Sequence, residues 1–74
     1  MTTWPTLNSS EVVRALKKAD FRLVRQKGSH ARFEHPDGRS TTVPIHGSQD
    51  IGRGLLRKIL RDIEVDIKEF SKYL

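Results

Sequence analysis

The chain has 74 residues, too few to build two independent cores, so it is read as one domain over residues 1–74. Fourteen Lys and Arg residues against nine Asp and Glu give a formal net charge of +5, which favours a polyanionic partner, nucleic acid or acidic protein, without choosing between them. The absence of cysteine excludes a disulfide framework and a thiolate metal site, so packing must brace the fold.

The opening stretch MTTWPTLNSSEV has neither the basic start nor the apolar run of a signal peptide. Nothing downstream approaches the length of a membrane span. A cytoplasmic location without membrane contact is therefore expected. Residues 1–7 are read as a tail, 8–63 as the core and 64–74 as a short C-terminal helical segment.

A helix start follows the tail. Asn8 is the expected N-cap, Glu11 stands three residues on where it reaches back, and Leu7 is placed to staple onto Val12. Val12, Leu16 and Ala19, with Val13 beside them, form an apolar stripe, and Arg14, Lys17 and Lys18 fall on the wet side. This helix is predicted to end near Ala19 or Asp20.

From Phe21 the pattern turns to strands: FRLVRQ, HARFEH and STTVPI, separated by KGS and PDGR. The reading is a three-stranded antiparallel meander. Pro36-Asp37-Gly38 suits a three-residue hairpin loop with Gly38 in the left-handed bulge conformation. That loop pairs His35 with Arg39, Phe33 with Thr41 and Ala31 with Val43. A two-residue Asp37-Gly38 turn would instead bury Arg32 beside Val43, which charge burial disfavours.

In this register Ala31, Phe33, Val43 and Ile45 face inward, while His30, Arg32, Glu34 and Thr42 face outward. His46 has outer-face parity and falls diagonally near His30. The first hairpin is left open: a two- or three-residue loop around Lys27-Gly28 changes whether Arg25 or Gln26 flanks His30.

After the turn-rich HGSQDIGRG, the segment LLRKILRDI carries a second apolar stripe of Leu56, Ile59, Leu60 and Ile63. Arg53, Arg57 and Arg61 recur every four residues, like charges that suggest an acidic partner or a tolerated wet face. Asp66 is placed to cap a last helical turn or two, whose Phe70 packs back on the body. The expected fold class is α+β: helix, three-stranded antiparallel sheet, helix and a short C-terminal helix, both main helices on one sheet face.

The words RQKGSH, HPDGR, VPIHG and GLLRKILRD resemble the HicA toxin family, small ribonucleases of toxin-antitoxin pairs. The resemblance covers about Ser9 to Phe70 and is specific as a set of motifs. It implies a fold like a double-stranded-RNA-binding domain, metal-independent endoribonuclease activity on messenger RNA, and a catalytic role for His30, the histidine of Gly-Ser-His. It also implies a HicB antitoxin as partner, with the toxin alone a monomer. Leu55 departs from the family, where many relatives carry Thr, and this puts a cap or phosphate contact at the second helix in doubt.

The chemistry suits one imidazole. RNA carries its own nucleophile, the 2′-hydroxyl, and histidine exchanges protons near neutral pH without a metal. Arg25, Lys27 and Arg32 are the candidate cationic clamp, with Gly28 and Ser29 offering backbone N–H groups and a hydroxyl to phosphate. Arg53, Arg57 and Lys58 near the start of the second helix are further candidate RNA contacts. His46 is the candidate complementary acid or base, or equally a residue ordering its loop, and His35 is read as a turn residue. No metal site or cofactor is expected from three scattered histidines. The alternatives are a non-catalytic double-stranded-RNA-binding module and a protein-interaction domain meeting an acidic partner.

Overall fold

The structure is a computed structural model that describes residues 4–45 and 50–74. In chain order the elements are β1 (Leu7–Asn8), α1 (Ser9–Lys18), β2 (Arg22–Lys27), β3 (His30–Glu34), β4 (Ser40–Pro44), β5 (Asp50–Ile51), α2 (Arg53–Ile63) and α3 (Ile67–Ser71). Strands β2, β3 and β4 form the expected antiparallel meander with β3 in the centre. The whole is α+β, in an arrangement consistent with a double-stranded-RNA-binding domain.

Local signals set the helix starts. The Glu11 N–H donates to Asn8 Oδ1 at 2.8 Å, and the Asn8 N–H donates to Glu11 Oε1 at 3.0 Å, a complete capping box. Asp66 caps α3 by accepting from the Glu69 N–H at 2.7 Å. Helix α2 begins at Gly52 with no side-chain cap.

Both long helices end the same way. The Phe21 N–H returns to the Leu16 carbonyl and the Asp20 N–H to that of Lys17. At the end of α2, Val65 returns to Leu60 and Glu64 to Arg61. These are Schellman closures, and the residue each needs in the left-handed region is Asp20 (φ 71°) or Glu64 (φ 58°) rather than glycine. An acid there also opposes the negative end of the helix dipole. Glu64→Gly is expected to raise stability by about 1 kcal/mol, the strain relieved exceeding the freedom added to the unfolded chain. Urea denaturation measures it, and a destabilised variant would mean the Glu64 side chain contributes more than it strains.

The core lies between the sheet and the two long helices. Val12, Ala15 and Leu16 of α1 and Leu56, Ile59, Leu60 and Ile63 of α2 are buried with Ala31, Phe33 and Val43 of the sheet, and Phe70 of α3 closes one end. Thr41, also inward, donates to Asp62 Oδ2 at 3.0 Å, so its buried hydroxyl is satisfied.

Two features differ from the sequence reading. Leu7, assigned there to a tail, is buried, and β1 pairs with β5 as Leu7 with Ile51 and Asn8 with Asp50. Two-residue strands are too short to show periodicity. The second feature is a bulge in β2, where pairing passes from Leu23 opposite Phe33 to Arg25 opposite Arg32 and Val24 is left over.

The second hairpin follows expectation. Phe33 faces Thr41, Ala31 faces Val43, and the His35 N–H reaches the Arg39 carbonyl at 2.8 Å. Gly38 takes φ 99°. Arg39 fastens this hairpin: its Nε pairs with Asp37 Oδ2 at 2.8 Å, its Nη1 donates to the Ile63 carbonyl at the end of α2, and its guanidinium lies 5.2 Å from the Phe21 ring centroid. The Arg39 backbone N–H holds the Asp37 carboxyl below the usual carboxylate range, and the Arg39 side chain adds to the effect.

Candidate active site

The turn between β2 and β3 decides what surrounds His30. Gly28 occupies its first central position with φ 60°, as a type II′ hairpin requires and as a side chain there would strain. Lys27 and His30 then close the hairpin as directly opposed residues, with Gln26 opposite Ala31 and Arg25 opposite Arg32. Neither Arg25 nor Gln26 stands opposite His30, contrary to expectation. The loop is Gly28-Ser29, one position later than a loop starting at Lys27, so each pairing moves along.

The bulge completes the arrangement. Phe21 is buried, and Leu23 pairs with the inward Phe33, while from the turn backwards Gln26 pairs with the inward Ala31. Strict alternation cannot satisfy both phases. The spare residue Val24 absorbs the mismatch, and Arg25 and Lys27 come out on the outer face with His30 and Arg32.

His30 is the exposed first residue of the central strand, paired with Pro44 on its other side. Among the described residues no hydrogen bond or ion pair engages its imidazole. It lines an open hollow of about 300 Å³ with Arg25, Lys27, Arg32 and Thr42. Three cations and one proton-exchanging ring thus face the same space, which suits an anion.

Among the described residues, Arg32 is the cation of this group with side-chain partners. Its Nη2 donates to Ser40 Oγ at 2.8 Å, its Nη1 lies 3.5 Å from Thr42 Oγ1, and its Nε lies 3.6 Å from Glu34 Oε2. With both side chains near half exposed, the ion pair contributes little stability. Its effect is on direction: the guanidinium lies along β3 toward the Glu34 end. The sequence reading puts Glu34 on the outer face but gives neither it nor Ser40 a part, because the register does not fix the direction the Arg32 side chain takes.

The remaining candidates lie elsewhere. Arg53, Arg57 and Lys58 sit on α2, in the layer that covers the inner face, and the structure does not bring them to His30. Lys58 pairs with Asp62 at 3.0 Å, and Arg57 lies 5.5 Å from the Trp4 ring centroid. His35 packs on Phe21 and beside Asp37 at the far hairpin. His46 lies outside the described residues. A larger hollow of about 460 Å³ between α1 and β2 is lined by residues such as Val13, Leu23, Phe33 and Ile45, with no histidine among the described residues that line it. Among the described residues no group of three or more His, Cys, Asp or Glu could hold a metal ion, and no helix is long and apolar enough to cross a membrane.

Comparison with protein families matches residues 9–65 to the HicA toxin of bacterial toxin-antitoxin systems. A comparison with curated proteins gives no match.

Proposed function

The chain belongs to the HicA toxin family of bacterial toxin-antitoxin systems, and from that membership we propose that it is an endoribonuclease that cleaves messenger RNA in the hollow around His30. The observation that carries this reading is the exposed imidazole of His30 sharing one open space with Arg25, Lys27 and Arg32.

In the proposed reaction His30 takes the proton of a 2′-hydroxyl. The freed oxygen attacks the adjacent phosphorus, the bond from phosphorus to the 5′-oxygen breaks, and a solvent water protonates that oxygen. The products are a 2′,3′-cyclic phosphate and a 5′-hydroxyl, and His30 returns its proton to water. Charge on the phosphorane is met by Lys27, which stands opposite His30, within the wider cationic field of the hollow, an effect greatest where charge develops. Gly28 and Ser29 bring backbone N–H groups to the rim. Arg53, Arg57 and Lys58 hold a more distant stretch of RNA backbone on the helical layer. A HicB-type antitoxin is the proposed partner, silencing the toxin by covering the His30 face.

The test is incubation of the purified protein with messenger RNA in the presence of a metal chelator, with the new ends analysed chemically. Cyclic phosphate ends are expected, and a 2′-deoxy substitution at the cleaved position should abolish the cut. Loss of all cleavage in chelator would overturn metal independence. Salt-sensitive RNA binding with no cleavage at any pH, unaffected by His30→Ala, would instead favour a double-stranded-RNA-binding module, which the helix and sheet arrangement also supports.

A further inference from the structure

The outer face of the sheet carries its charges in rows. Lys27 stands opposite His30, Arg25 opposite Arg32, and Arg22 opposite Glu34. Residues two apart on a strand lie about 6.7 Å apart on the same face, close to the separation of successive phosphates in an extended RNA strand. The first two rows are cationic or able to become so. The third pairs a cation with an acid and is neutral.

The middle row is unfavourable in the free protein. Like charges directly opposite each other destabilise a sheet, yet the Gly28-Ser29 turn sets Arg25 opposite Arg32, and the bulge at Val24 is what lets Leu23 still pair with Phe33 in that register. Three further side chains, Ser40, Thr42 and Glu34, are occupied in directing the Arg32 guanidinium along the strand rather than toward His30. A local rule broken this way is expected at a functional or strained site, and Glu34, the one acid beside Arg32, leaves Arg25 without a described counter-charge.

We propose that Arg25 and Arg32 form a second phosphate subsite, one nucleotide along the strand from the phosphate cut at Lys27 and His30, and that the Arg22–Glu34 row ends the cationic track. The sheet then grips two successive phosphates of single-stranded RNA. This rests on the ribonuclease reading and specifies its substrate register. Ser40 and Thr42 act through Arg32 and are positioning residues. Apart from His30, the described outer-face residues named here carry no ring on which a base could stack, so the grip is on the backbone rather than on base identity.

The test uses the His30→Ala protein as a non-cleaving binder and short labelled single-stranded RNAs of defined length, read by fluorescence anisotropy over a salt series. Removing the grip on one phosphate should reduce the slope of log affinity against log salt by about 0.7. Arg25→Gln and Arg32→Gln are each expected to weaken binding several-fold, and the double variant no more than the worse single one, because both serve one phosphate. Lys27→Gln combined with Arg32→Gln should instead multiply the two losses. Glu34→Gln should open a third position, raising the slope by about 0.7 for RNAs long enough to reach it. Independent, multiplying effects of Arg25 and Arg32, or an unchanged slope in Glu34→Gln, would overturn the two-phosphate register. All four side chains are partly or fully exposed, and thermal melts monitored by circular dichroism check that every variant is folded. If the wild-type protein neither binds nor cuts RNA, the ribonuclease reading fails and this register with it. If the wild type cuts RNA and the arginines act independently, the register alone fails.

Discussion

His30→Ala is expected to slow RNA cleavage by about 10²–10⁴-fold, the range for removing a general acid or base, while the melting temperature stays where it was. Both halves follow from the same geometry. The ring stands exposed at the first residue of β3 and makes no contact among the described residues that the fold depends on. Its loss removes a proton acceptor from the hollow while Arg25, Lys27 and Arg32 still line it. Single-turnover cleavage with protein in excess isolates the chemical step, and RNA affinity of the variant should change little. Equal cleavage rates for the two proteins would remove His30 from the mechanism. A large fall in melting temperature would make the imidazole structural.

Phe33→Ala is expected to show the opposite pattern, a stability loss of about 3–5 kcal/mol from the lost burial and the cavity left behind. Phe33 is 1% exposed, stands opposite Leu23 on one side and Thr41 on the other, and packs in the core with residues of both long helices. A chain of 74 residues has a total stability of roughly 4–11 kcal/mol at the usual value per residue. The substitution thus removes a large share of what holds β3 against the helices. Because His30 and Arg32 are carried on the other face of that strand, activity should fall at temperatures where the variant begins to unfold and recover on cooling. Urea denaturation gives the stability. A loss below about 1 kcal/mol would show that the neighbouring side chains close over the gap, against the usual behaviour of aromatic truncations.

How much of this was legible in the sequence depended on whether a signal was local. The capping box of Asn8 and Glu11 lies within four residues and was readable at once. The same holds for the Pro36-Asp37-Gly38 loop, where the cost of burying Arg32 selected the register that the structure shows. The first hairpin was not readable to the residue. Leu23 and Val24 are adjacent and both apolar, so alternation gives no phase there, and a bulge resolves what the pattern leaves undecided. The β1–β5 ladder depends on two segments more than forty residues apart, each of two residues, and nothing in Leu7 announced its partner Ile51. For the site, the Gly-Ser-His word pointed to His30, and charge pointed to Arg25, Lys27 and Arg32. Composition could not say that the α2 cations lie across the sheet from them. That separation is a property of layers, which no single segment encodes.

The spare residue in β2 also bears on how copies of the protein behave when crowded. This strand is a border of the sheet, with Leu23 48% and Val24 51% exposed, the kind of greasy margin along which molecules zip together into fibrils. The kink upsets the even ladder such zipping needs, and Arg22, Arg25 and Lys27 add mutual repulsion. The irregularity that reconciles the two phases of β2 therefore also works against edge-to-edge pairing of copies.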